Sequence, residues 1–294
     1  MMMKLSTSAS IALASMLCFA SACTNKNDNA NTTAITTESP PPIQKLQFTQ
    51  EPQRIAALRA SRGEQDQAKP VLKILAPANG SQVEGPTVKV QLELSGDLKG
   101  YQPHKDATTG TGNHIHVILD DNPYEAYYDL AEPFELKDVI PGKHVLRVFA
   151  SRPWHESYKN EGSFQMVIFT VKGSGDASKP TTTNTSQTPI EIDPNRPLLT
   201  YSRPKGEYKD AESDPIMIDF WLTNAKLRGD GGEYRVRYII DDDEPRLLDK
   251  WEPIWLAGWL KGKHTVRLEL LGPDQYPVKN GTFNVTTREI TVIK

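Results

Sequence analysis

The run EPFELKDVIPGKHVLRVF, Glu132 to Phe149, returns as EPIWLAGWLKGKHTVRLEL from Glu252 to Leu270. Gly142-Lys143-His144 recurs as Gly262-Lys263-His264, 120 residues on, and Lys159-Asn160 recurs as Lys279-Asn280 at the same offset. Leu119-Asp120-Asp121 answers to Ile240-Asp241-Asp242 within one residue of that spacing. Order, spacing and residue type agree together, so the chain carries a duplicated unit rather than a chance echo.

Each copy reads as β-structure. Val88 to Leu94 (VKVQLEL) alternates strictly between apolar and polar residues, His144 to Phe149 alternates in its two halves, and Phe164 to Val171 is rich in β formers. Pro77 to Gly80, Gly85-Pro86, Asn122-Pro123 and Pro141-Gly142 punctuate these runs. Short strands so spaced predict an antiparallel sandwich. With its Pro-Gly-x-His turn before the penultimate strand, the pattern resembles bacterial immunoglobulin-like or fibronectin-like modules. That resemblance implies an all-β chain with two tandem immunoglobulin-like sandwiches. The segments HIHV and SRPWHESYKNEG are also similar to uncharacterised envelope proteins, a likeness that brings no activity with it.

The N-terminus reads as an export signal. Lys4 precedes an apolar, small-residue run from Ile11 to Ala22, too short for a stable span, that ends in Phe19-Ala20-Ser21-Ala22-Cys23. This end resembles the lipobox of bacterial lipoproteins, which implies acylation of Cys23 (palmitate among the acyl chains) and anchoring to a membrane without a spanning helix. Thr24 rather than Asp at the next position implies sorting to the outer membrane of the cell envelope. The two cysteines are Cys18 and Cys23, so the exported body has neither disulfides nor thiolate chemistry.

Domain limits follow from composition. Residues 1–22 read as signal peptide, and 23–69 as acylated cysteine plus a mostly disordered tether. Within that tether, Thr24 to Gln44 has a root-mean-square reach of roughly 25 Å, and Gln53 to Ser61 (QRIAALRAS) reads as a short helix stopped by Gly63. Residues 70–172 form the first sandwich, 173–197 a polar linker, and 198–294 the second sandwich. A net charge of −3 with interspersed charges disfavours a nucleic-acid partner.

Candidate site residues cluster in the first copy. In GNHIHVILDD (Gly112 to Asp121) the two-residue period places Ile115, Val117 and Leu119 on one face and His114 and His116 on the other, away from the domain core. In an immunoglobulin-like topology the start of this strand shares an end with the loops Gly96 to Gly112 and Ser151 to Ser163. That brings His104, His114, His116, His155 and Glu156 toward one place. Two imidazoles at i and i+2 reach one ion, and a third ligand from a loop completes a copper or zinc site. The second copy has Arg235 and Arg237 at the paired positions and no histidine in its loop 272–278, so the fold does not require imidazole there. By contrast His144 and His264 recur in both copies and read as structural.

The same end supports a second reading, a recognition patch in which His114, His116, Arg152, Trp154 and Lys159 meet a peptide, glycan or anionic group. In the strand before the Pro-Gly turn, alternation sets Phe134, Leu136 and Ile140 inward and Glu135, Lys137 and Val139 outward. By the repeat offset, Trp255, Ala257 and Trp259 then face outward and offer a partner surface or a platform for sugar stacking, unless the strand is irregular and the tryptophans belong to the core. The acidic run Asp241 to Glu244 lacks the glycine and terminal glutamate of a calcium loop and reads as a hairpin turn. Nucleophile elbow, phosphate loop and zinc-protease motifs are missing. The sequence thus predicts a lipid-anchored envelope binding or interaction protein without catalytic activity, its partner an envelope protein or glycan, with copper or zinc binding by the histidine patch as the alternative.

Overall fold

The computed structural model describes residues 44–173 and 191–294. The signal segment, Cys23, the tether up to residue 43 and most of the linker lie outside the described residues. An N-terminal segment comes first: strand β1 (Gln47–Thr49), helix α1 (Gln53–Ser61) and a short 3-10 turn at Gly63–Gln67. Domain 1 follows with β2 (Lys69–Ala76), β3 (Gln82–Glu84), β4 (Val88–Asp97), β5 (His114–Leu119), β6 (Glu125–Tyr127), β7 (Phe134–Leu136), β8 (Gly142–Ser151) and β9 (Phe164–Lys172). These strands build a sheet β2-β4-β7 facing a sheet β3-β9-β8-β5-β6, with only β3 and β9 parallel.

Domain 2 repeats the plan with β10 (Leu198–Arg203), β11 (Gly206–Lys209), β12 (Ile216–Thr223), β13 (Arg235–Ile240), β14 (Arg246–Leu248), β15 (Ile254–Ala257), β16 (Gly262–Leu271) and β17 (Val285–Ile293). Its sheets are β10-β12-β15 and β11-β17-β16-β13-β14, the same order strand for strand. The chain is therefore an all-β pair of immunoglobulin-like sandwiches. The duplication extends to backbone detail, because Asp120 and Asp241 have φ 55° and 51°, and His155 and Gln275 have φ 67° and 66°. It extends to side chains as well. His144 donates from Nδ1 to Asp120 (2.8 Å) and from Nε2 to the Ile140 carbonyl (2.8 Å). His264 holds Asp241 (2.8 Å) and the Leu260 carbonyl (2.9 Å) in the same way.

The segment read as tether differs from that expectation over its described part. β1 adds antiparallel to β15 as an extra edge strand of domain 2, with Phe48 opposite Leu256. Leu46 enters the core of domain 2, where it packs among Tyr238, Leu256 and Trp259. Gly258 makes this approach feasible: at φ 100° it sits where a Cβ would lie 2.4 Å from the Lys45 carbonyl oxygen. Helix α1 falls where the sequence predicts it, and its Ile55 is buried with Trp154, Met217 and Trp255.

Two facing calls are corrected for one reason. Val139 is buried in the core of domain 1 and Ile140 is exposed, the reverse of the alternation count. Trp259, predicted to point outward, is fully buried in the core of domain 2 with its Nε1 donating to the Leu256 carbonyl (2.8 Å). Between the strand and these residues lie Asp138 (φ 56°) and Gly258 (φ 100°), whose left-handed backbone ends the period-two pattern. Trp255, also predicted outward, is buried against α1 and Trp154.

The two sandwiches pack face on. The outer side of β5, β8 and β9 is covered by β10, β12 and the approach to β17. Val145 and Ile192 meet Leu198 and Phe283, and the Trp221 ring stacks on Phe164 at 5.5 Å. Polar contacts cross the same face: Arg147 donates to Thr200 (3.0 Å), and Lys159 pairs with the buried Asp219 (2.6 Å). Strand β5 is consequently buried on both sides, whereas its counterpart β13 alternates between buried and half-exposed positions.

Candidate metal centre

β5 presents two of the three histidines, and the start of the strand is held in place. The Tyr101 hydroxyl donates to the carbonyls of His114 (3.0 Å) and Ser151 (3.3 Å), pinning the start of β5 to the end of β8. Asn113, just before, is held by Arg62 (2.8 Å) and Gln65 (3.3 Å) of the N-terminal segment. His114 and His116 share one face, as alternation requires. That face is covered by domain 2, so both rings are buried rather than exposed.

The third histidine comes from the loop between β8 and β9. There the Arg152 amide bonds the Glu156 carbonyl (2.8 Å) and the His155 amide bonds the Arg152 carbonyl (2.8 Å), a tight turn that presents His155 at φ 67°. Ligand nitrogens of His114, His116 and His155 all lie within 4.8 Å of one another. The Nε2 atoms of His114 and His116 are 2.9 Å apart. With metal to nitrogen bonds of about 2.0–2.1 Å, that separation subtends an angle of roughly 90° at a shared ion.

Each ring has an outward partner at Nδ1. His114 Nδ1 donates to the Gly112 carbonyl at 2.7 Å, which leaves its Nε2 as an acceptor, here toward Nε2–H of His116 at 2.9 Å. His116 Nδ1 faces Ser202 Oγ at 3.4 Å, and His155 Nδ1 faces Tyr124 Oη at 3.2 Å. Such outer bonds fix ring orientation and tautomer in metal-ligating histidines. Gly112 is required for the first: a Cβ there would lie 1.8 Å from the His104 carbonyl oxygen. Tyr124 stacks on His116 with ring centroids 3.6 Å apart and planes 9° from parallel.

Electrostatics keeps the rings neutral. Burial brings His114 down to about 4, with the bond to Gly112 resisting and Arg203 adding to the fall. Burial first, then the neighbouring histidines with Arg203 and Lys205, holds His116 and His155 well below the usual imidazole range. Neutral imidazole is the ligating form. A cleft of about 190 Å³ opens beside His155, lined also by Ile55, Trp154, Arg203, Met217 and Trp255. Of the three histidines, His155 alone lines it.

The other predicted residues sit elsewhere. His104 is exposed on the preceding loop and outside the cluster. Glu156 is no ligand, because its carboxylate accepts from Arg59 (2.6 Å) and Trp154 Nε1 (2.7 Å) and pairs with Arg152 (3.2 Å). Arg152, Trp154 and Lys159 do not form a free recognition patch. Arg152 is bound to Asp66 (2.6 Å), Trp154 lies under Arg59 (4.8 Å to the ring), and Lys159 is bound to Asp219. Their partners are the N-terminal segment and domain 2. Tyr124, Ser202, Arg203 and Lys205 were missed by the sequence reading. Tyr124 had a signal, since Pro245 holds its place in the second copy, but nothing in the sequence brings Ser202 to Lys205 against domain 1.

No protein-family profile and no curated protein matches the chain. Among solved structures it is similar to the fibronectin(III)-like modules of Clostridium thermocellum CbhA, at 11% identity and TM-score 0.25 over 76% of this chain and 94% of that one. It is also similar to the D00-D0 domain of Intimin, at 11% identity and TM-score 0.22 over 77% of this chain and 100% of that one. A third similarity is to SGBP-B of a Bacteroides ovatus mixed-linkage glucan utilization locus, in complex with a mixed-linkage heptasaccharide, at 12% identity and TM-score 0.21 over 76% and 70% of the two chains.

Proposed function

We propose that this protein binds a copper or zinc ion in the bacterial envelope, through His114, His116 and His155, while held to a membrane by acyl chains on Cys23. The observation that carries the metal reading is the convergence of three buried imidazoles. Their ligand nitrogens gather within 4.8 Å while each Nδ1 meets a partner outside the cluster. Nitrogens bound to one ion at about 2.0–2.1 Å lie roughly 3–3.5 Å apart, so small shifts of the rings complete the shell on binding. The reading includes no catalytic step. It also assigns no glycan or protein partner to Arg152, Trp154, Lys159, Trp255 or Trp259, which are engaged inside the molecule.

Elemental analysis of the purified full-length protein tests the site. One equivalent of metal in the wild type and in His104→Ala, with loss in His155→Ala, is the expected result. Equal metal content in His155→Ala and wild type would remove the reading. A ligand present at a hundred times its Kd stabilises the folded state by about 2.7 kcal/mol, so thermal melting gives an independent readout. The anchor is tested separately: radiolabelled palmitate enters the wild type and not Cys23→Ser, and equal labelling of both would overturn it.

A further inference from the structure

The loop that carries His155 divides its side chains between two neighbours. Arg152, Glu156 and Tyr158 bond to the N-terminal segment. Arg152 donates to the Asp66 carboxylate (2.6 Å) and carbonyl (3.0 Å), Glu156 accepts from Arg59 (2.6 Å), and Tyr158 meets Arg62 (2.9 Å) and the Gln65 carbonyl (2.8 Å). Trp154 lies under Arg59 and packs on Ile55 of the same segment. The alternate residues turn the other way: His155 joins the cluster, and Ser157 and Lys159 bond to Asp219 of domain 2. Strand β5 begins with the same division, since Asn113 is held by Arg62 and Gln65 and His114 joins the cluster. The segment thus grips the residues on both sides of His155 and the residue before His114. Asp66 links Arg59 (2.8 Å) to Arg152 at its centre, and β1 with Leu46 fixes its start in domain 2.

The second copy shows the same loop uncovered. Gln275 stands in the place of His155 with the same backbone angle, and its neighbours Asp274 and Tyr276 are exposed where Trp154 and Glu156 are buried. The loop with the histidine has the cover, and the loop without it is open to solvent. Metal ligands must be held within about 0.5 Å of their working positions. A loop that holds that geometry part of the time lowers the apparent affinity by the same fraction. By linkage, whatever the docked segment adds to ion affinity, the bound ion returns as tighter docking.

Building on the three-histidine reading, we propose that residues 44–67 belong to the ion-binding machinery, with Arg59, Arg62 and Asp66 as positioning residues, so that ion binding and docking of the segment are coupled. The full-length protein is titrated with Zn(II) against a zinc-binding dye and, without oxygen, with Cu(I) against a chromogenic chelator. Asp66→Asn and Arg59→Gln, each checked for folding by circular dichroism, should weaken binding about tenfold, within the usual range of coupling between sites. Val88→Ala serves as the control for general destabilisation. It removes buried volume at the start of β4, whereas the segment joins β2 at Lys69, opposite Asp97 at the other end of β4. Its ion affinity should stay within twofold of the wild type. Hydrogen exchange gives the reciprocal readout: the ion should slow exchange at residues 53–67 in the wild type and not in His155→Ala. Unchanged affinity in folded Asp66→Asn and Arg59→Gln, or an equal loss in Val88→Ala, overturns the coupling while leaving a three-histidine site. Uptake of neither ion by the wild type overturns the site itself.

Discussion

His144 shows how one residue can be read from sequence and then given a chemistry. Its recurrence as His264 marks it as part of the fold, and its two acceptors, Asp120 and the Ile140 carbonyl, call for a proton on each ring nitrogen. Burial pulls its pKa down, but the bonds to Asp120 and the Ile140 carbonyl, with the charge of Asp120, together outweigh this and hold it above the ordinary value. A folded value above the unfolded one of about 6.5 means that the stabilisation is complete below that pH and is lost as pH rises through the folded value. His144→Asn is therefore expected to lower stability by about 1–3 kcal/mol in mild acid and by less at pH 8.5, measured by urea unfolding. A deficit that grows with pH would contradict the assignment. The histidines of β5 were legible only in part. The period-two count placed His114 and His116 together on the correct face, but polar residues on a strand read as solvent-facing whether water or another domain covers them.

At the scale of elements, the sequence was readable where local rules dominate. Helix α1 forms over QRIAALRAS and ends before Gly63, and the strands of both copies follow apolar alternation. It was unreadable where a few residues act through distant partners. β1 is only Gln47–Thr49, all three residues exposed, and nothing in its composition separates it from a polar tether. What fixes it is Leu46 in the core of domain 2 and the Arg246 guanidinium donating to the Leu46 carbonyl (2.9 Å). Leu46→Ala is expected to cost about 2–5 kcal/mol in chemical denaturation, as for other buried leucines. A loss within about 0.5 kcal/mol, the range of surface substitutions, would show that the segment is not docked. Alternation also failed at Asp138 and Gly258, because a single left-handed residue between strand and turn reverses which side chain faces the core.

At the scale of the whole molecule, domain 2 turns the outer face of β5, β8 and β9 into an interior, and His114 and His116 are buried because of that cover. The N-terminal segment ties the halves together, with Leu46 in domain 2 and Arg62 on Asn113 and Tyr158 of domain 1. With that tie and the buried apolar and ion-paired contacts between the domains, a single calorimetric transition is expected; two separate transitions would contradict this. The central claim is the convergence of three imidazoles on one ion, and X-ray absorption of the metal-loaded protein tests it most directly. Three imidazole nitrogens at about 2.0 Å in the wild type, falling to two in His155→Ala, is the predicted result. An oxygen-only shell, or an imidazole count unchanged in His155→Ala, would contradict it.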